Sequence, residues 1–398
     1  MSSPTLPASS VKPPYVRLSV FYFTYFAALG IFVPYWTVYL KNVAGFSAAQ
    51  IGELMAVFMA SKVIAPFIWG WLADHSGQRL RIIRLASLLA VVCFAGVYWQ
   101  HSYGWMLLVM AGFGFFWNAS LPQFEALTLN HLGEYIGRYS WIRLWGSIGF
   151  IVMVVSLPPL LDSWGIERAV DAMLLLFITI WLTTWLVRDK PHHAHAENTS
   201  RLREVIRQPA VWMLLLACAL QQASHGVYYT FFSLYLEDHG YSRNFTGWMW
   251  ALGVAAEVVL FVFMHRLIQR FGAERLFVLA MLLTGIRWIL LGAWVDNLPV
   301  LLLAQVLHAA TYGLFHASAI HVVHHVFPGK LQGRGQALYS GVSYGLGGAL
   351  GSLLSGYGWE TLGSAQTFYI ATVVVNVGLF LSLYAIRDLG KHYAQQVG

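Results

Sequence analysis

The sequence has few charged residues. Of its 398 residues only 10% are charged, whereas 58% are hydrophobic. An average soluble domain has about 25% charged and about 45–50% apolar residues. A water-soluble protein of this length cannot cover its surface with so few charges, and a disordered chain needs the opposite balance. The composition therefore excludes cytosolic enzymes, nucleic-acid-binding proteins and secreted modules, and it indicates a polytopic membrane protein.

Cysteine and clustered metal ligands are also scarce. The 2 cysteines, Cys93 and Cys218, lie in apolar runs, so neither a disulfide framework nor a cysteine metal cluster is expected. Three histidines at 192–195 lack Cys or carboxylate partners, which favours a solvated linker over a metal site. No nucleophile–base pair and no Gly-rich phosphate loop is found. We therefore expect no enzyme activity, no metal and no cofactor.

Long hydrophobic runs fill the chain. A membrane-spanning helix needs about 20 apolar residues. We predict twelve such helices and an all-α fold, with spans at 16–41, 48–73, 80–100, 104–130, 138–161, 168–188, 209–237, 244–266, 274–294, 298–327, 333–357 and 364–387. The first fourteen residues lack the apolar core of a signal peptide, so the first run is expected to remain as a span.

Basic residues are distributed unevenly between the two sides of this topology. If both termini are cytoplasmic, 18 of the 24 Lys and Arg residues lie on that side. The other side has Lys41, Arg168 and Arg243. Three remain within spans: Lys62, Arg143 and Arg287. The net charge of +7 therefore reflects membrane topology, and it requires no nucleic-acid partner.

The two halves of the chain resemble each other. The longest polar stretch, 189–208, separates six spans from six, which predicts bundles at 1–188 and 209–398 joined by a cytoplasmic linker. A shift of about 195 residues superposes Gly45-Phe46-Ser47 on Gly240-Tyr241-Ser242. Two parallel six-helix bundles with a site between them are typical of an alternating-access transporter.

A motif between the second and third spans identifies a family. Residues 70–79, Gly-Trp-Leu-Ala-Asp-His-Ser-Gly-Gln-Arg, resemble the signature loop of the major facilitator superfamily, and 270–275 are a degenerate copy. The resemblance implies two pseudo-symmetric six-helix bundles. It also implies that Gly70, Asp74, Gly77 and Arg79 act in conformational change, since this loop latches helices in that family.

A narrower resemblance extends over most of the chain. Its segments are 23–26, 30–36, 143–147, 256–258, 287–288 and 305–308. They are similar to the phenylpropionate permease group, which is related to lactose permease and the nucleoside–proton symporters. The resemblance implies a proton-coupled secondary transporter in the cell inner membrane, and we expect a monomer.

Ionisable residues within spans are costly and usually functional. Glu125 in the fourth span and Arg143 in the fifth lie at similar distances from a tight connector, so we expect them to meet. Arg143 would then grip a substrate carboxylate or hydroxyls, with Glu125 as its partner or competitor. Lactose permease has a Glu and an Arg at corresponding positions, which implies a substrate role. The alternative is an ion pair that only fixes helix packing.

A second charged set lies in the C-terminal half. Glu257, Arg287 and His308 resemble a trio in lactose permease, which implies proton coupling through a carboxylate that gains or loses its arginine. The further carboxylate of that relative is replaced here by Thr311, so we expect Glu257 to be the first candidate proton carrier and His308 the second. The alternative is a buried network that only stabilises this half.

Further polar and aromatic side chains are candidates for the substrate site. His225 and Gln222 lie in the seventh span, which faces the first span in this family. His308, Tyr312 and either Phe315 or His316 share one face of the tenth span and are an aromatic wall for a ring-bearing solute. The remaining substrate-site candidates are Asn118 and Tyr25.

These features predict a symporter that imports a small organic solute with a proton, the solute being an aromatic carboxylate such as a phenylpropionate-like acid. Sugar or nucleoside symport remains open, because such solutes are also gripped by Glu/Arg pairs and aromatic faces. An exporter of drugs or metabolites with the same fold is a further alternative.

Overall fold

The computed structural model describes residues 13–189 and 200–397. Six long helices precede residue 189: α1 (Tyr15–Asn42), α2 (Ala48–Ser76), α3 (Arg79–Tyr98), α4 (Tyr103–Leu132), α5 (Tyr139–Ser156) and α6 (Arg168–Leu186). Six more follow residue 208: α7 (Pro209–Asp238), α8 (Arg243–Phe271), α9 (Ala273–Trp294), α10 (Leu298–Val326), α11 (residues 332–361) and α12 (Ser364–Val397). Short helices are Pro158–Trp164, directly after α5, and Ser200–Ile206.

Helices occur at all twelve predicted spans, and ten helical stretches of the described residues, one of them Tyr103–Trp164, are long and apolar enough to cross a membrane. Most of their boundaries lie within a few residues of the predicted ones, because the length of an apolar run sets the length of a spanning helix. The exceptions are helix ends that continue past the apolar run, such as that of α12, which reaches Val397 where the prediction ended at 387. No strand occurs in the two described stretches of the chain.

The outer surface is apolar. Trp71, Trp99, Leu108, Val262 and Phe380 are 61%, 82%, 67%, 73% and 72% exposed. Large apolar side chains at this exposure need a non-aqueous environment, which the hydrocarbon of a bilayer provides. The chain is a multi-pass membrane protein.

The internal repeat predicted from the sequence is seen in the structure as the same helix N-cap at the start of α2 and of α8. The Ser47 hydroxyl accepts a hydrogen bond from a backbone N–H in the first turn of α2, and Ser242 does the same for α8. Each serine follows a left-handed glycine, Gly45 at φ 73° and Gly240 at φ 77°. Glycine adopts this backbone without strain, and a serine at the N-cap satisfies a free N–H. Equivalent positions in the two halves therefore turn the chain in the same way.

The buried apolar side chains form two large cores. Nearly all members of one precede residue 189, and nearly all members of the other follow residue 208. This distribution supports the predicted bundles at 1–188 and 209–398, which stay a proposal. We call residues 13–189 the N-terminal half and residues 200–397 the C-terminal half.

Three helices of the C-terminal half are irregular. Ala309–Leu314 in α10 and Gly341–Gly347 in α11 are π-helical, and α7 is interrupted at His225. Single π turns in α-helices are frequent at functional sites. A backbone carbonyl in a membrane must find a partner within the protein, and the Gln221 side-chain amide donates to Thr311 O at 3.0 Å. The irregular segments therefore mark one region of this half.

The two halves contact each other where α1 and α7 end. Lys41 Nζ lies 2.8 Å from an Asp238 carboxylate oxygen, and the Asn42 amide donates to Glu237 at 3.1 Å. A shift of 196 residues superposes Lys41 on Glu237 and Asn42 on Asp238, so that each contact maps onto the other. This reciprocity is the signature of a two-fold relation between the halves.

This contact lies on the face opposite the chain termini, because α1 begins at the terminal face and ends at the other. Arg243 bridges to Asp162 there at 3.2 Å, again from one half to the other. The carboxylate of Glu360 at the end of α11 accepts from the Ala49 N–H at the start of α2 at 2.8 Å. The protein is therefore closed at the face opposite the termini.

Candidate functional site

Glu125 and Arg143 are neighbours in the N-terminal half, but they do not form an ion pair. Their charges interact electrostatically, and both side chains are half-buried. Glu125 Oε1 instead accepts a hydrogen bond from the Tyr139 hydroxyl at 3.1 Å. The Arg143 guanidinium lies over the Phe26 ring, 3.9 Å from its centroid. The expectation that they meet is therefore corrected: the helices bring them close, while each side chain has another direct partner.

Arg143 also faces the C-terminal half. Its charge interacts electrostatically with the Glu257 carboxylate of α8 and with Tyr312 and His316 of α10. Its guanidinium has no carboxylate within ion-pair distance among the described residues. The guanidinium of this half-buried residue therefore keeps N–H groups that no described carboxylate uses.

Arg287 has the opposite character. It is fully buried, donates from Nε to Ala304 O at 2.7 Å, and donates from Nη1 to His308 Nδ1 at 3.2 Å and Thr311 Oγ1 at 3.1 Å. The guanidinium lies 4.2 Å from the centroid of the Tyr228 ring. Arg287 is thus held by carbonyl, imidazole, hydroxyl and ring, and only Nη2 lacks a partner in the described part of the chain.

The bond from Arg287 fixes the protonation of His308. A guanidinium can only donate, so Nδ1 of His308 must offer a lone pair, and the ring is neutral with its proton on Nε2. A second proton would have to occupy the nitrogen toward which the arginine N–H already points. His308 is therefore unsuited to carry the proton in this state.

Glu257 does not join Arg287 and His308. No hydrogen bond or ion pair links its carboxylate to either residue, although all three are described, and its electrostatic partner is Arg143 of the other half. The predicted trio is therefore corrected to a pair, Arg287 with His308. The cause is helix geometry, since α8 packs against α5 and presents Glu257 to the space between the halves.

His225 and Gln222 lie at the interruption of α7, and both are buried. His225 Nδ1 lies 2.8 Å from Gln221 O, and the ring meets Trp288 edge-on at 4.9 Å. Neither His225 Nε2 nor Gln222 Nε2 has a hydrogen-bond partner in the described stretches. Both groups are available for a hydrogen bond, so their predicted site role stays open.

Asn118 and Tyr25 are used for packing. The Asn118 amide donates to Phe58 O at 3.2 Å and to Ser61 Oγ at 2.8 Å, which ties α4 to α2. The Tyr25 ring is 3% exposed and stacks on Trp117 at 4.3 Å. The structure places both side chains within the N-terminal half, where Tyr25 also interacts electrostatically with Glu125 and Arg143, and the predicted site roles of both residues stay predictions.

Tyr312 continues a stack of rings along α10. It lies parallel to His308 at 5.5 Å and to His316 at 6.3 Å. The sequence left open whether Phe315 or His316 is the third member of this face. Phe315 is fully buried against Phe277, so the third member is His316. The ring stack follows the face that sequence periodicity predicted, with His316 as the member at its end.

The sequence interpretation missed Tyr139, and it counted Tyr344 among the aromatic residues of the cavity without its histidine partner. Tyr139, the hydrogen-bond donor to Glu125, begins α5 one turn before Arg143. Tyr344 in the π segment of α11 lies 2.9 Å from His316 Nδ1. The signal that points to them is a tyrosine spaced for the same helix face as a predicted site residue.

The signature loop is compact. Arg79 Nη2 lies 2.5 Å from Asp74, and Arg79 Nη1 donates to Gln123 at 2.7 Å. Gly77 ends α2 at φ 62°, a left-handed conformation that favours glycine. A Cβ at Gly70 would lie 3.3 Å from Gln123 Nε2. These contacts tie α2, α3 and α4 together within the N-terminal half, and their predicted conformational role stays a prediction.

Two features remain outside this site. Lys62 Nζ lies 5.8 Å from the centroid of the Phe58 ring and forms no ion pair with a described residue. The histidines at 192–195 lie outside the described residues. No group of three His, Cys, Asp or Glu side chains arranged to bind a metal occurs in the parts of the chain that the structure describes.

Comparison with known proteins agrees with this architecture. A model of the MFS_1 like family matches residues 15–370. A relative from Escherichia coli strain K12, named "Probable 3-phenylpropionic acid transporter", is 31% identical, and the match covers 92% of this chain and 96% of the relative. The maltose permease of Geobacillus stearothermophilus is 28% identical over 93% of this chain and 94% of its own. The crystal structure of the nucleoside transporter NupG has a TM-score of 0.83 at 15% identity, with 94% of this chain and 98% of that chain covered.

Proposed function

The chain belongs to the MFS_1 like family of major facilitator transporters, and on this premise we propose that it imports a small aromatic carboxylate, such as a phenylpropionate-like acid, together with a proton. It is a secondary transporter and not an enzyme. The substrate class is supported by the relative that is 31% identical and is named for 3-phenylpropionic acid.

The observation that carries this proposal is the state of Arg143. Its guanidinium is half-exposed, stacks on Phe26 and has no carboxylate in direct contact in the described chain. A planar guanidinium binds a carboxylate through two parallel hydrogen bonds. The Phe26 ring below it and the Tyr312 ring across from it are suitable contacts for the ring of such an acid.

Charge balance explains the coupling to a proton. In the empty site the charge of Arg143 interacts with the carboxylates of Glu125 and of Glu257 in the other half, and in this scheme only Glu257 changes its protonation. When a substrate carboxylate binds Arg143, a proton on Glu257 restores the same net charge. Because buried net charge is costly, the halves rearrange most readily when acid and proton are both bound or both absent. This scheme assigns the proton to Glu257, consistent with a neutral His308.

A neutral solute fits this balance less well. A sugar or nucleoside brings no charge to compensate Arg143 when Glu257 takes a proton. The loaded site would then differ from the empty site by one unit of charge. The same Glu/Arg pair can still bind hydroxyls, so both solute classes serve as competitors in the test below.

The orientation follows from the distribution of basic residues. We propose a location in the cell inner membrane with both termini cytoplasmic, which leaves most Lys and Arg on the cytoplasmic side. The closed face is then periplasmic. We propose a monomer, because all the groups used above belong to one chain.

Uptake into proteoliposomes tests the proposal. We expect 3-phenylpropionate to accumulate when the outside is more acidic, and maltose and nucleosides to compete weakly. Glu257→Gln should abolish accumulation driven by the gradient while it retains exchange of labelled for unlabelled acid. His308→Asn, which keeps an acceptor near the Nδ1 position, should retain the gradient response. Uptake of this acid that ignores the gradient in the unmodified protein contradicts the proposed symport.

A further inference from the structure

His316 lies two turns after His308 on α10, and no step proposed above uses it. Its Nδ1 lies 2.9 Å from the Tyr344 hydroxyl and 3.2 Å from the Tyr339 hydroxyl, both from α11. Tyr339 is fully buried, whereas His316 and Tyr344 are half-buried. Its Nε2 forms no hydrogen bond with any residue that the structure describes. The imidazole is therefore anchored through one nitrogen and free at the other.

The two hydroxyls are the hydrogen-bond partners of Nδ1, so Nε2 is the nitrogen left for another group. In the tautomer with Nδ1 as the acceptor, its one lone pair takes the O–H of Tyr344, the nearer hydroxyl at 2.9 Å. With Nδ1 accepting, the neutral ring has its hydrogen on Nε2. The free side of His316 is then a hydrogen-bond donor without charge.

This donor is related to Arg143 through an electrostatic interaction and through the neighbouring ring of Tyr312. The two side chains interact electrostatically across the halves, and Tyr312, whose ring lies parallel to His316 at 6.3 Å, interacts with Arg143 as well. A bidentate hydrogen-bonded pair with Arg143 uses both oxygens of a carboxylate. The donor on His316 is therefore left for a different oxygen, at the other end of a solute whose ring passes Tyr312.

We propose that His316 Nε2–H binds an oxygen substituent on the ring of the transported acid, so that the preferred solutes are aryl-alkanoic acids with a phenolic or other ring oxygen. This inference rests on the proposed function and specifies its substrate. A donor that is left unpaired by an unsubstituted ring makes that acid the weaker substrate, by about tenfold or more.

Two amide substitutions separate the roles of the two nitrogens. The Gln side chain places its amide near the position of Nε2, and the Asn side chain places its amide near the position of Nδ1. His316→Gln should keep the preference for 3-(hydroxyphenyl)propionates over 3-phenylpropionate. His316→Asn and His316→Phe should lose this preference through a rise in KM for the hydroxylated acids that exceeds any change in KM for 3-phenylpropionate.

The measurement is the ratio of Vmax/KM for the two acids in proteoliposomes that contain equal amounts of monodisperse protein. A ratio near one in the unmodified protein, or an equal loss in the Gln and Asn variants, overturns the inference and leaves the transport of aromatic acids intact. Absence of uptake of both acids by the unmodified protein refutes the proposed function itself. If the Asn variant does not fold, Tyr344→Phe, which removes an anchor of Nδ1, should lower the same ratio; an unchanged ratio contradicts the inference.

Discussion

The two arginines of the membrane interior differ in what already satisfies them. Arg287 is fully buried and donates hydrogen bonds to Ala304, His308 and Thr311. These bonds hold helices of the C-terminal half together. Arg143 contacts a ring and is otherwise free of direct polar partners among the described residues. A site for an anion requires donors that are not already used, and on this criterion Arg143 is the binding residue.

Arg143→Lys tests this distinction. An ammonium is a point charge that cannot reproduce two parallel hydrogen bonds or stacking on Phe26, so we expect the affinity for 3-phenylpropionate to fall about 10–100-fold, as for the loss of one charge-assisted hydrogen bond. The measurement is the Kd from binding to purified protein. Arg266→Lys, an exposed position on α8, is the matched control and should leave the Kd unchanged. An unchanged Kd in Arg143→Lys would remove this residue from the site.

At the residue scale the sequence was informative about which side chains matter and less informative about their partners. An ionisable side chain within a membrane span has a high free energy, and this singled out Glu125, Arg143, Glu257 and Arg287. Hydrogen-bond partners depend on side-chain rotamers and helix rotation, which a single sequence does not specify. Glu125 therefore bonds to Tyr139 and not to Arg143, and Glu257 faces Arg143 and not Arg287.

At the scale of helices, the predicted spans were accurate because the thickness of hydrocarbon dictates their length. The π segments of α10 and α11 and the interruption of α7 were not predicted. The backbone carbonyl groups of these segments accept hydrogen bonds from other helices, such as the bond from the Gln221 amide to Thr311 O. Such tertiary contacts do not produce a periodic pattern in the sequence. Close approach of α7 and α11 is one reason why α11 is rich in glycine.

Gly351→Ala tests this close approach. A Cβ at Gly351 would overlap the backbone of Ala223 in α7, and backbone cannot move aside as a side chain can. We expect a loss of about 1–3 kcal/mol in stability and a lower Tm of the purified protein. Gly333→Ala, in the same helix with no atom near its added Cβ, is the control and should keep or raise the Tm. Equal melting of both variants would show that α7 and α11 separate without cost.

At the scale of the molecule, the structure is one state of a protein that needs at least two. The same helices and cores serve every state, so hydrophobic pattern cannot reveal which face is closed. Closure depends on a few contacts between the halves, chiefly Lys41 with Asp238, Asn42 with Glu237 and Arg243 with Asp162. Exposed ion pairs contribute only about 0.2–1 kcal/mol each, which suits a contact that must open in every transport cycle.

Reversal of one charge should therefore open this face. Lys41→Asp places a third carboxylate beside Glu237 and Asp238, and the closed state should lose population by a few-fold.

A single cysteine at position 38 reports on this opening. Val38 is buried and lies in a small cleft with Glu237 and Arg243, so Val38→Cys is introduced in a background without Cys93 and Cys218. Its alkylation rate in detergent should rise in Lys41→Asp and return toward the original value in Lys41→Asp with Asp238→Lys. The restored pair separates the effect of this contact from general destabilisation, because only a specific ion pair is recovered by exchanging its charges. An alkylation rate that is the same in all three proteins would mean that the apolar contacts between the halves, and not these charges, keep the face closed.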